Sequence, residues 1–141
     1  MTVEGEALTT GRGQGATLVL EEPLSFWGGV DATTGRVIET RHPQCGRSLA
    51  GAVLLLTRGR GSSSSSSVLA ECLRNGVGPV AIVLAEPDPI LALGALVAQE
   101  LYGVEMPVVV VGAEGYADCM REAMLSVEAD AGGRLGFVRA P

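Results

Sequence analysis

An α/β fold with a partly parallel sheet follows from three features of the sequence. Ala52–Thr57, Val80–Ala85 and Val108–Val111 are short continuous apolar runs, as expected of strands buried on both faces. Stretches with helical spacing separate them, and this strand–helix alternation argues for parallel pairing through crossover helices. The chain closes on Ser126–Asp130 and Arg134–Val138, two segments joined through Gly132-Gly133 that read as a terminal hairpin. With 141 residues, 47% hydrophobic and 18% charged, the chain fits one compact domain with a real core. Aromatics are 4%, so that core is built from Val, Leu, Ile and Ala.

The elements follow in order. Residues 1–14 are polar and glycine-rich and are expected to form a flexible tail, leaving 15–141 as the folded domain. Ala16–Leu20 is a first strand. Gly28 and Gly29 interrupt any regular element after Phe26-Trp27, and Thr33-Thr34-Gly35 turns the chain into a short strand, Arg36–Glu39. After the buried strand Ala52–Thr57 come Arg58-Gly59-Arg60-Gly61 and six consecutive serines, Ser62–Ser67. Val68–Gly76 reads as a helix closed by Asn75-Gly76. Asp88-Pro89 is a helix start, with an acid at the N-cap and proline in the first turn. Ile90, Leu93, Val97 and Leu101 carry that helix to Tyr102, and Ala113–Met124 is expected to be another.

Composition excludes several functions. The net charge is −6, a poor basis for binding nucleic acid. All ten basic residues are arginine, which removes Schiff-base chemistry and a lysine-dependent phosphate loop from this chain. Cys45, Cys72 and Cys119 are far apart, with no CxxC spacing, and read as buried, inert thiols. No apolar run is long enough to span a bilayer, and the N-terminus has no apolar signal core. A cytoplasmic setting with reduced thiols is expected.

The serine run is the main candidate site. It could be a linker, but it is bounded tightly by a buried strand and a helix, where it can supply the helix's first turn. A helix N-terminus presents unpaired N–H groups and partial positive charge. Gly59 and Gly61 let a ligand approach the backbone, and Arg60 offers a charged fork. This combination predicts a carboxylate or phosphate site. The same donors would favour a serine alkoxide, although the pattern alone assigns only the anion site. Val111-Gly112-Ala113-Glu114-Gly115 is half a dinucleotide fingerprint and reads as a strand-to-helix turn. His42, the one histidine, precedes proline and lacks the surroundings of a phosphocarrier or a triad. Asp31 either shapes a site or caps a turn.

Taken together, these residues resemble the swivel domain of the aconitase X family. The resemblance rests on Ser25-Phe26-Trp27-Gly28-Gly29-Val30-Asp31, Thr34-Gly35 and His42-Pro43, then on Gly59-Arg60-Gly61-Ser62 and Val68-Leu69-Ala70-Glu71. It continues through Asn75-Gly76, Pro79–Ile82, Pro89-Ile90, Gly94-Ala95 and Val97-Ala98 to Pro107–Val110, so it covers about Leu24 to Val111.

The resemblance implies a swivelling β/β/α domain acting as the small subunit of a hydro-lyase. Its partner is a large subunit that holds an iron centre or iron–sulfur cluster; this chain is expected to hold no metal. By position, Ser62 is the proton-abstracting base, with Arg60, Gly61 and Ser63 binding the substrate's anionic group. The implied substrate is cis-3-hydroxy-L-proline, giving Δ1-pyrroline-2-carboxylate. Phosphomevalonate, giving anhydromevalonate phosphate, is the alternative, and the acidic, arginine-only composition favours the former. A non-catalytic module that binds small anions without a partner is the competing reading of another class.

Overall fold

A computed structural model describes residues 1–130 and 134–141. Its strands are β1 (Thr2–Thr9), β2 (Gly11–Val19), β3 (Val53–Leu56), β4 (Ala81–Leu84), β5 (Val108–Val110), β6 (Met124–Ala129) and β7 (Leu135–Arg139). The helices are α1 (Phe26–Gly29), α2 (Ser64–Arg74), α3 (Pro89–Tyr102) and α4 (Gly112–Met120). Among the described residues the strands close into a barrel in the order β1-β5-β4-β3-β2-β6-β7. β2, β3, β4 and β5 pair in parallel, and the remaining contacts are antiparallel.

The continuous apolar runs of β3 and β4 have a direct cause. Successive strand residues point to opposite faces, and here both faces are covered. Leu54 and Leu56 of β3 join an outer cluster with Leu69, Leu73, Leu91 and Ala95 of α2 and α3. Val53 and Leu55 face inward to Val109, Leu125, Val127 and Val138. One core therefore lies within the closed sheet and another between the sheet and its helices, giving the β/β/α layering.

Residues 1–14 are not a tail. They form β1 and the first part of β2, with β1 registered against both β5 and β7. The glycines that give this stretch its loop-like composition serve close packing instead. A Cβ at Gly13 would collide with the Val80 carbonyl oxygen, and one at Gly15 with that of Gly51.

Three further expectations shift. Arg36–Glu39 is not a strand; only isolated bridges, Val30 to Val37 and Arg36 to Ser48, form there. The last helix ends at Met120 rather than Met124, because Met124 already begins β6 opposite Ala16. The helix expected from Val68 starts earlier, with Ser64–Ser67 as its first turn. The closing hairpin is present as the β6–β7 pair; its expected Gly132-Gly133 turn lies outside the described residues. No helix among the described residues is long and apolar enough to cross a membrane.

Two consecutive parallel strands now set up the site. β3 hands over to α2 through residues 57–63, and β4 hands over to α3 through 85–88. Loops at the carboxyl ends of adjacent parallel strands are brought side by side, in closed as in open α/β sheets, and ligand sites gather there.

Candidate functional site

The loop after β3 and the first turn of α3 enclose a cavity of about 250 Å³. Leu24, Phe26, Ile90 and Leu91 give it apolar walls, and Arg58, Gly59, Arg60, Gly61, Ser65 and Asp88 supply the polar ones. Arg60 and Gly61, predicted from sequence, therefore line it. Ser62 and Ser63 are exposed beside it, at the start of α2.

Ser62 sits where helix geometry favours an anionic oxygen. Its Oγ accepts the backbone N–H of Ser64 at 3.3 Å, and its carbonyl accepts that of Ser65 at 3.0 Å. The first bond aims one of the helix's unpaired donors at the hydroxyl oxygen. Ser63 occupies the N-cap position without a side-chain capping bond. Its carbonyl is held by Ser66, through the Ser66 Oγ–H at 2.6 Å and the Ser66 N–H at 3.1 Å.

The serines, indistinguishable by type, are sorted by burial. Ser62, Ser63 and Ser67 are exposed, whereas Ser65 and Ser66 are buried. Ser65 Oγ accepts the Trp27 N–H at 3.2 Å and lies 3.5 Å from Ser25 Oγ, which donates to the Trp27 carbonyl at 3.1 Å. This knot fastens the Ser25–Gly29 segment to α2 and leaves the Trp27 side chain exposed. Gly61 lies against it at a φ of +105°, where a Cβ would run into Ser25 Oγ.

Arg60 is engaged within the chain: its Nη2 meets Glu39 Oε1 at 3.2 Å, both side chains being solvent-accessible. Exposed pairs of this kind contribute about 0–1 kcal/mol, so an incoming carboxylate or phosphate can compete for the guanidinium. Arg58 adds a second cation to the cavity wall, 3.9 Å from Glu86. Sequence reasoning missed Arg58, Ser65 and Asp88 as members of the site. Arg58 was legible as a second arginine beside the glycines, but nothing local marked the other two.

The remaining candidates take structural roles. Asp31 Oδ1 accepts the Thr33 N–H at 2.8 Å and so caps its turn. His42 is buried: its Nδ1 accepts the Gln44 N–H at 3.0 Å, and its Nε2 is 2.9 Å from the Glu22 carbonyl oxygen. Both ring nitrogens are thus occupied, which argues against phosphotransfer. Gly112, at a φ of +77°, forms the strand-to-helix turn into α4.

The cysteines do not fit an iron–sulfur ligand set. Cys72 belongs to the outer core, Cys119 to the inner one, and Cys45 is exposed rather than buried as expected. Among the described residues no group of three or more His, Cys, Asp or Glu is arranged to hold a metal ion. Burial pushes the Cys72 thiol up to about 11, aided by the negative charges of Asp31 and Glu71. Burial also raises Cys119 to about 11, with Asp118 and Glu122 adding to it. Thiols held protonated are poor metal ligands.

A stability consequence follows. Each raised thiol stabilises the fold below its ordinary value of 9.0, and that contribution is lost as pH rises through about 11, because the unfolded thiols ionise first. Tyr116, raised by burial from 10.0 to about 12, extends the loss. The urea midpoint is expected to fall steadily from pH 9 to 12, and at pH 8 a thiol reagent should titrate Cys45 alone in the folded chain. A midpoint flat across that range would contradict the burial of these groups.

With this geometry, comparison with known proteins is specific. The Aconitase X swivel domain family matches residues 2–135. The chain is 49% identical over 105 residues to the cis-3-hydroxy-L-proline dehydratase of Pseudomonas aeruginosa, covering 74% of this chain and 18% of that protein. It is 46% identical over 98 residues to the phosphomevalonate dehydratase small subunit of Methanothermobacter thermautotrophicus, covering 70% of this chain and 75% of that one. The crystal structure of Thermococcus kodakaraensis aconitase X in its holo-form superposes with a TM-score of 0.78 at 29% identity, over 99% of this chain and 98% of that one. The chain thus spans only about a fifth of the hydroxyproline dehydratase it matches and three quarters of the phosphomevalonate dehydratase subunit. The resemblance carried by the Ser25–Asp31 and Gly59–Ser62 motifs is the one this match identifies, and the chain belongs to the Aconitase X swivel domain family.

Proposed function

We propose that the chain is the swivel-domain subunit of an aconitase-X-type hydro-lyase that dehydrates cis-3-hydroxy-L-proline, with Ser62 as its base. The observation that carries this reading is the Ser62 hydroxyl, exposed at the N-terminus of α2 with the Ser64 N–H directed at its oxygen. Ser62 Oγ, ionised to the alkoxide, takes the proton from the carbon bearing the carboxylate and becomes the neutral hydroxyl. The carbanion left there either regains a proton or forms the new double bond by expelling the hydroxyl on the neighbouring carbon as hydroxide. The proton now on Ser62, passed on through solvent, converts that hydroxide to water and restores the alkoxide. The resulting enamine tautomerises to Δ1-pyrroline-2-carboxylate. The Ser64 N–H and the dipole of α2 stabilise charge on Oγ as the proton moves.

Arg60 and Ser63 hold the substrate carboxylate, and Gly61 lets it approach the backbone. The large subunit covers the exposed loop and excludes water, so neither subunit alone turns over substrate. The iron centre expected in that partner supplies Lewis-acid assistance to the leaving hydroxyl when bound.

Dehydration of phosphomevalonate is the second reading, favoured by one specific feature: two guanidinium groups, Arg58 and Arg60, line the same small cavity, as a doubly charged phosphate would require. Both substrates carry a proton beside a carboxylate and a hydroxyl one carbon further on, so Ser62 keeps its role in either case.

The test is to copurify the chain with its large subunit and assay both compounds. Dehydration of cis-3-hydroxy-L-proline is expected. Turnover of phosphomevalonate alone would move the assignment to the second reading. A complex inactive on both, from a chain that still binds small acids by itself, would replace the enzyme with an anion-binding module.

A further inference from the structure

We propose that Asp88 is a positioning residue for the base-bearing loop, holding Gly59–Ser62 against the N-terminus of α3. This rests on the reading of Ser62 as the proton acceptor.

Asp88 is buried, and both of its carboxylate oxygens are used. Oδ1 caps α3, accepting the N–H groups of Ile90 at 3.0 Å and Leu91 at 3.1 Å. Oδ2 accepts the N–H of Gly59 at 2.7 Å, 29 residues away in sequence. Capping alone does not call for a carboxylate, since serine, threonine or asparagine serves an N-cap equally well. The second bond does, because it needs a second acceptor oxygen aimed the other way.

The loop has few other tethers. At its start the Thr57 carbonyl accepts the Glu86 N–H at 3.0 Å, and beyond Gly59 the Arg60 N–H reaches the Leu24 carbonyl at a long 3.4 Å. The Arg60 side chain adds an exposed bond to Glu39 at 3.2 Å, and the bond to Asp88 is the shortest of these backbone tethers. Gly59 is also packed so closely on Asp88 that a Cβ there would collide with Oδ2. Three residues later comes Ser62. Asp88 thereby couples the start of α3 to the position of the serine oxygen, and a displacement of about 1 Å in a catalytic group can cost on the order of 100-fold in rate.

Asp88→Ser separates the two roles, because a single hydroxyl keeps the cap and cannot also reach Gly59. In the full chain, the Gly59 amide of this variant is expected to exchange with solvent at least ~10-fold faster while the melting temperature stays close to that of the parent. In the complex with the large subunit, kcat is expected to fall by roughly 10- to 100-fold with KM changed little. Asp88→Ala, which removes the cap as well, should also lower the melting temperature. Unchanged Gly59 exchange in Asp88→Ser would show that no tether exists. Faster exchange with unchanged kcat, in a complex whose parent is active, would overturn the positioning role alone. A parent complex inactive on both substrates would instead overturn the base assignment and the positioning role with it, whatever the exchange rates.

Discussion

Ser62→Ala, copurified with the large subunit, is expected to lower kcat by about 10²- to 10⁴-fold, the usual range for loss of a positioned general base. Substrate affinity should change little, since in the proposed mechanism Ser62 acts only at the reacting carbon and the substrate carboxylate is assigned to Arg60 and Ser63. Folding should be unaffected. Ser62 is exposed, and its side chain gives up only the bond from the Ser64 N–H, which water can replace. The neighbouring serines offer internal controls. Ser67→Ala, at an exposed position at the end of the first turn and outside the lining of the cavity, should leave turnover unchanged. Ser65→Ala should act differently again, loosening the Trp27 segment by removing a buried acceptor.

Gly61→Ala should have the next largest effect, felt in both stability and turnover. A non-glycine residue at a φ of +105° is strained wherever it occurs, at about 1–3 kcal/mol, and here its Cβ also drives into Ser25 Oγ. Ser25 can yield only by breaking its bond to the Trp27 carbonyl or its contact with Ser65. Strain at Gly61 is therefore passed both to the Trp27 segment and to Ser62, the next residue. Turnover is expected to fall at least 10-fold, with a loss of about 1–3 kcal/mol in urea unfolding. Gly76→Ala is the matching control. It too has positive φ, at +72°, but nothing lies within 4 Å of its Cβ, so it should lose stability and keep its activity. Equal activity losses in the two variants would remove the special role given to Gly61.

Much of the fold could be read from the chain because its central strands announce themselves. β3 and β4 are buried at every position and β5 at all but the half-buried Val110, because these strands are covered on both faces, and their apolar runs are unbroken. The extent of α3 was also plain, since Asp88 and Pro89 mark its first turn, but the face expected from Ile90, Leu93, Val97 and Leu101 is not the buried one, which is Leu91, Gly94, Ala95 and Ala98. β1 and the first part of β2 were illegible for the opposite reason, although Ala16–Val19, the end of β2, was read as a strand. Their inward positions include Gly5, Gly13 and Gly15, which carry no hydrophobic signal because the carbonyls of facing segments occupy the space a side chain would need. The alternation of Val3, Gly5 and Ala7 with exposed Glu4 and Glu6 is visible once small residues count as buried.

The site was legible where its residues are adjacent in sequence and illegible where the fold brings them together. Arg60, Gly61, Ser62 and Ser63 share one loop whose composition marks it. Asp88 looked like a cap and nothing more, because its second partner, Gly59, comes from the end of a different strand. Ser65 was hidden among five identical neighbours, and only helical geometry turns it inward toward Ser25 and Trp27.

The most direct measurement of the central claim is proton exchange at the substrate carbon bearing the carboxylate. The copurified complex is incubated with cis-3-hydroxy-L-proline in D2O, unreacted substrate is recovered, and deuterium at that carbon is read by mass spectrometry. If phosphomevalonate proves to be the substrate, the same position is read there. With Ser62 as the proton acceptor, the parent complex incorporates deuterium and the Ser62→Ala complex does so at least ~10²-fold more slowly while still binding substrate. Incorporation at the parent rate by Ser62→Ala would contradict the assignment and place the base elsewhere.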